Sequence, residues 1–305
     1  MSVNRILADP VVREEAFQRL RNGEGLPDEV LDQIENLRSA GFLDQLLKGC
    51  RIIDEIGRPT LPIQAGSFER PSLARWSEPL EAARAVLEQA SRAVGRLEVE
   101  GRGGFVGTAW LVEVPDQQGI VVTNRHVVLS NFGVRRADRV DFVLQLNDRT
   151  VAVALEFKGE GTSESLRLPV VEIIRVEPDD GPDLALLRLA PSPNLPDPVR
   201  LGTSAQQDQD VAVIGFPSDD PSDLADDRLL GGRFGFKTLS PGQVLRAQPN
   251  LFTHDASTTP GFSGSPVLDL RGEAVGVHFH GEHGVENMAV SVDAVRRLLE
   301  AGLGA

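Results

Sequence analysis

From Gly95 onward, short runs of Val, Ile, Leu and Phe alternate with clusters of Gly, Pro, Asn and Asp. The first set reads "RLEVE", "FVGTAWLVEV", "GIVVTNRHVV", "RVDFVLQL", "VAVALEF" and "LPVVEIIRVE". A second set follows: "LALLRLA", "DVAVIGFP", "FGFKTL", "GQVLRA", "LFTHDA", "GSPVLDL", "AVGVHF" and "NMAVSV". About a dozen such runs, bounded by turn formers and without intervening helices, predict an all-β sandwich or barrels. Before Gly95 the period is that of a helix. "PDEVLDQIENLRSAGFLDQLLKG" sets Val30, Leu31, Ile34 and Leu37 on one face behind Pro27, with Gly41 as a stop. "SEPLEAARAVLEQASRA" repeats the stripe with Leu80, Ala83, Val86, Leu87 and Ala90. Residues 57–72, "GRPTLPIQAGSFERPS", are dense in Pro and Gly and predict an irregular linker or a strap over a neighbour. "DAVRRLLEAG" predicts a short closing helix with Gly302 as its C-cap.

Length adds that the 305 residues make one large domain with an appendage, or two domains. The 45 Asp and Glu against 31 Lys and Arg leave a net charge of −14, which argues against nucleic acid or an anionic membrane as partner. Residues 1–17 hold no apolar leader behind a basic start, and charges interrupt every later apolar run, so a soluble, cytoplasmic protein is expected. Cys50 is the only cysteine, consistent with a reducing compartment. Lysine is confined to Lys48, Lys158 and Lys237 amid much Ala, Gly and Pro, a composition typical of GC-rich bacterial genomes.

Acyl transfer by a serine needs a base for its proton, a carboxylate to orient that base, and donors for the developing oxyanion. His126 ends the apolar run in "VVTNRHVV", Asp183 opens "DLALLRL" after the turn-prone "PDDGP", and Ser263 lies in "GFSGSP" between Gly261 and Gly264. Taken alone none is strong: each reads more readily as a hydrogen-bonded strand-end histidine, a capping aspartate or a turn serine. Their joint order, each in a fitting context, is far more specific.

"GTAWLV", "VTNRHVV", "DLALLRL" and "GFSGSPVLD" resemble the successive motifs of the trypsin-like (chymotrypsin-fold) serine proteases, in the bacterial branch that includes the glutamyl endopeptidases. The resemblance covers residues 93 to 302 or so. It implies a mainly β fold of two six-stranded antiparallel barrels, barrel 1 over about 93–190 and barrel 2 over about 197–291, closed by a helix over about 291–302. It further implies that His126 is general base and then acid, Asp183 holds its imidazole, Ser263 attacks the scissile carbonyl, and the N–H groups of Gly261 and Ser263 form the oxyanion hole. Two departures stand out. Phe262 replaces the usual Asp or Asn, which removes activation by a freed N-terminus, and Pro260 replaces a small or polar residue.

By the same resemblance, Ser257 occupies the position where trypsin carries Asp, so trypsin-like specificity is disfavoured. His278 in "AVGVHFHG" and Thr258 match the residues with which glutamyl endopeptidases line the primary specificity (S1) pocket. Together they imply preference for Glu, or Asp, at P1 through charge-assisted hydrogen bonds. The "HFHGEH" histidines, His278, His280 and His283, match no established zinc spacing, and "DDPSDLADD" at 219–227 reads as a solvated acidic loop, so neither metal nor cofactor is expected. The expected division is a helical extension over 1–88, which either docks a regulatory partner or braces the barrels, and a protease domain over 89–305 acting on protein or peptide substrates. The rival from another class is a catalytically latent module, in which Phe262 and Pro260 have cost the oxyanion hole and the fold only recognises partners.

Overall fold

The structure, a computed structural model, describes residues 10–11, 58–71, 74–101, 104–131, 134–136, 139–141, 145–146, 149–150, 152–159, 166–218, 234–282 and 286–304. The helix expected over 27–49, Cys50, the acidic stretch 219–227 and His283 lie outside the described residues.

The first six-stranded barrel closes in the order β10 (Val153–Glu156), β11 (Arg167–Val176), β12 (Ala185–Leu189), β5 (Ile120–Thr123), β4 (Gly107–Leu111) and β3 (Val94–Val99), with β10 pairing back onto β3. Every residue of β4, β5 and β10 is buried, including the polar Thr108, Thr123 and Glu156. β11 exposes part of its length and carries two bulges, between Val170 and Glu172 and between Ile173 and Arg175, which bend it around the barrel. Two small hairpins lie between β5 and β10: β6 (Val134–Arg136) with β7 (Arg139–Asp141), and β8 (Gln145–Leu146) with β9 (Arg149–Thr150).

The second barrel runs β13 (Asp210–Gly215), β16 (Pro266–Asp269), β17 (Ala274–Glu282), β18 (Glu286–Ser291), β15 (Leu251–His254) and β14 (Thr238–Ala247), closed by pairing of β13 with β14. The stretch expected to be an irregular linker is instead a hairpin, β1 (Leu61–Gln64) and β2 (Ser67–Phe68), added to the edge of β14 with Leu61 opposite Leu239. Its apolar positions Leu61, Ile63 and Phe68 are buried in the core that runs through both barrels. It is therefore a strap with regular structure.

α1 (Ala74–Arg92) follows the strap and buries Trp76, Leu80, Ala83, Leu87 and Ala90, while Val86 stays 41% exposed, off the stripe expected of it. Full burial of Trp76, Leu80 and Leu87 contributes about 2 kcal/mol each. Lys237, fully buried, donates from Nζ to the carbonyls of Ser91 at 2.9 Å and Phe157 at 2.5 Å, tying the end of α1 to both barrels. The chain closes in α3 (Val292–Leu303), N-capped by Ser291. Its C-cap is Gly304, left-handed at φ 68°, rather than Gly302, where an added Cβ would lie 3.1 Å from Leu186. Among the described residues no helix is long and apolar enough to cross a membrane.

Candidate active site

His126 and Asp183 meet because β5 and β12 are antiparallel neighbours, with Thr123 opposite Ala185. Past Thr123 the chain turns into α2 (Arg125–Asn131), and the Asp183 carboxylate sits at the start of that helix. It accepts the His126 N–H at 2.9 Å through Oδ1 and meets His126 Nδ1 at 2.5 Å through Oδ2. Asn124 Nδ2 donates to the Asp183 carbonyl at 2.8 Å, and Arg125 donates to the Pro178 carbonyl and, at 3.1 Å, to that of Gly181. Both sides of the pair are thus held. Against a carboxylate, Nδ1 carries the proton and Nε2 is the basic nitrogen. The His126 side chain is 45% exposed.

The loop bearing Ser263 comes from the second barrel but is fixed by the first. Thr108 on β4 donates its N–H to the Ser263 carbonyl at 2.8 Å and its hydroxyl to the Gly261 carbonyl at 2.8 Å, and the same hydroxyl accepts the Phe216 N–H at 3.3 Å. Gly264, at φ +91°, lets the loop pass against barrel 1, since a Cβ there would lie 2.0 Å from the Thr108 carbonyl. Phe262 is fully buried with Val211, Val213, Val244, Phe252 and Val267, so burial anchors the loop where an ion pair would otherwise serve. The Pro260 carbonyl accepts the Ser218 N–H at 2.7 Å.

Hydrogen bonding around the loop is selective. The N–H groups of Phe262, Gly264 and Ser265 go to Thr259, His278 and Phe262 carbonyls at 3.2, 2.9 and 2.9 Å. Those of Gly261 and Ser263 have no acceptor among the described residues, nor has the Ser263 hydroxyl a partner there.

His278 on β17 is 3% exposed, and its Nδ1 lies 3.2 Å from Nε2 of the fully buried His254 on β15. Burial takes His254 down to about 4, with the neighbouring Asp255 charge pulling the other way. Burial first, then the charges of His254, His280 and His126, hold His278 well below the ordinary histidine value. Thr258 donates its hydroxyl to Asn287 Oδ1 at 2.9 Å, and Asn287 Nδ2 donates to the Ala256 carbonyl at 2.6 Å. The Ser257 hydroxyl is turned to the strap, donating to the Arg58 carbonyl at 2.7 Å. Sequence reasoning missed Thr108, His254, Asn287 and Arg58. Only His254 left a signal, since alternation in "LFTHDA" puts it on the face of Phe252, whose burial it shares. Among the described residues no group of three His, Cys, Asp or Glu is placed to hold a metal ion.

The trypsin-like peptidase domain family matches residues 107–277. A probable serine protease of Lysobacter enzymogenes is 32% identical over 297 residues, covering 82% of this chain and 73% of that protein. A glutamyl endopeptidase of Staphylococcus epidermidis is 26% identical over 216 residues, covering 68% of this chain and 66% of its own length, so the chain spans slightly less than two thirds of that relative. A crystal structure of Deg5 shares the fold, with a TM-score of 0.50 at 22% identity, over 72% of this chain and 93% of that one. With the family match spanning more than half of its length, the chain belongs to the trypsin-like serine protease family.

Proposed function

We propose that the chain cleaves polypeptides through an acyl-enzyme on Ser263. His126 Nε2 takes the hydroxyl proton and returns it to the leaving amine, and Asp183 keeps the imidazole in the required tautomer. The N–H groups of Gly261 and Ser263 receive the oxyanion, a device in which one donor is typically worth about 3 kcal/mol. The observation that carries this reading is the selective hydrogen bonding of the loop, which spends the flanking N–H groups and leaves these two. It also favours an enzyme over a latent recognition module, because Phe262 and Pro260 are both anchored rather than disruptive.

The preferred P1 residue is Glu. With both histidines pushed towards the neutral form, one proton lies between His254 Nε2 and His278 Nδ1. When His254 donates it, the buried, unpartnered His254 Nδ1 is a bare lone pair rather than an orphan N–H, and His278 keeps its proton on Nε2. That Nε2–H is a neutral donor for a substrate carboxylate, whereas the Thr258 hydroxyl already donates its proton to Asn287 Oδ1. The test is kcat/KM on peptides differing only at P1. Glu should exceed Gln and Lys by at least about tenfold, the scale of one hydrogen bond to a charged group; equal rates would sink the acidic preference.

A further inference from the structure

The segment His254 to Thr258, leading from β15 towards the nucleophile loop, is tied on one side to the histidine pair and on the other to the strap. Asp255 within it is fully buried. Its carboxylate accepts Nε and Nη2 of Arg58 at 2.7 and 2.6 Å and the Gln243 N–H at 2.7 Å. Arg58 is itself 4% exposed, lies with its guanidinium 5.3 Å from the Trp76 ring centre, and receives the Ser257 hydroxyl on its carbonyl. The two partners are 197 residues apart in sequence.

A fixed anion sealed behind a pocket for carboxylates is paradoxical, since like charge opposes the ligand across a low-dielectric wall. Asp255 directly follows His254, whose Nε2 meets His278 Nδ1 at 3.2 Å. A cation buried with it removes the conflict, and the strap brings one. We propose that Arg58 is a positioning residue for P1 selection: buried with Asp255, it cancels that charge so that the pocket accepts an acidic side chain. The inference rests on the acidic P1 preference proposed above, and it makes the strap part of the specificity apparatus.

The test compares wild type, Arg58→Met, and Arg58→Met combined with Asp255→Asn on matched Glu and Gln peptides. Wild type should prefer Glu; a ratio near one there sinks the acidic preference and this inference with it. With that preference in hand, Arg58→Met should lower the Glu:Gln ratio of kcat/KM by about tenfold or more, chiefly through KM for the Glu peptide. The double variant, which removes the charge on both sides, should regain the wild-type ratio. Equal loss on both peptides in Arg58→Met, or a ratio not regained by the double variant, overturns the proposal. If Arg58→Met does not fold, Asp255→Asn alone replaces it: the unbalanced Arg58 cation should raise the Glu:Gln ratio above wild type, and an unchanged or lowered ratio overturns the proposal.

Discussion

Replacing Thr108 by Val removes one fully buried hydroxyl that is not among the proposed catalytic groups of Ser263, His126 and Asp183. The shape is kept, but the Gly261 carbonyl loses its 2.8 Å donor and the Phe216 N–H its 3.3 Å acceptor. Each buried group left unpaired costs about 1–3 kcal/mol, with the longer bond at the low end, so the sum is about 3 kcal/mol if the loop stays in place. A loop that moves instead to re-pair its carbonyl turns part of that cost into a smaller population of productive conformers. With about 2 kcal/mol so diverted, acylation slows by about thirtyfold. Thr108→Val should therefore react with a fluorophosphonate about 10–100 times more slowly, with a lower Tm, while Thr108→Ser, which keeps both bonds, stays within about threefold. The rate of adduct formation by intact mass, beside thermal melts, checks this. A Thr108→Val chain that melts early yet acylates at the wild-type rate would show that the hydroxyl braces the barrels without setting the loop, and a slow Thr108→Ser would show that the methyl group matters instead.

The buried histidines make stability acid-sensitive. His254 is held at about 4 when folded but takes up its proton near 6.5 when unfolded, so between these values the unfolded chain binds more protons. Its contribution is complete above about pH 6.5 and is lost as pH falls towards 4, amounting to about 3 kcal/mol, with His278 acting in the same direction. Denaturant titrations from pH 7 to 4.5 should show this slope, and His254→Gln should flatten it; an unchanged slope would contradict the assignment. Gly264→Ala should drop peptide turnover by about two orders of magnitude or more, since its Cβ would press on the Thr108 carbonyl. Gly101→Ala, also at positive φ but with open space around it, should cost only about 1 kcal/mol in a denaturant titration and no activity.

The strands were legible because most announce themselves locally, through an apolar run between turn formers, but a sandwich fitted that pattern as well as barrels, and closure into two barrels came from the family resemblance. The strap was not legible. Its turn is Ala65–Gly66, with both residues at positive φ, and an alanine at 49° carries none of the Asn-Gly or Asp-Gly signal by which such hairpins are recognised. Nor can spacing along the chain reveal that Ser257 faces Arg58, or that Thr108 holds Gly261, because both contacts cross between units distant in sequence. Phe262 looked like a defect when judged against the usual acidic residue. Its apolar surroundings, drawn from β13, β14, β15 and β16, give it a different way to hold the same loop.

The central proposal is that Ser263 is the nucleophile, with His126 as its base and the Gly261 and Ser263 N–H groups as its oxyanion hole. Intact-mass analysis after exposure to a fluorophosphonate, on wild type and Ser263→Ala side by side, tests it most directly. The account predicts one adduct per chain on wild type and none on the variant. An unmodified wild type, or an adduct that persists in Ser263→Ala, would contradict it.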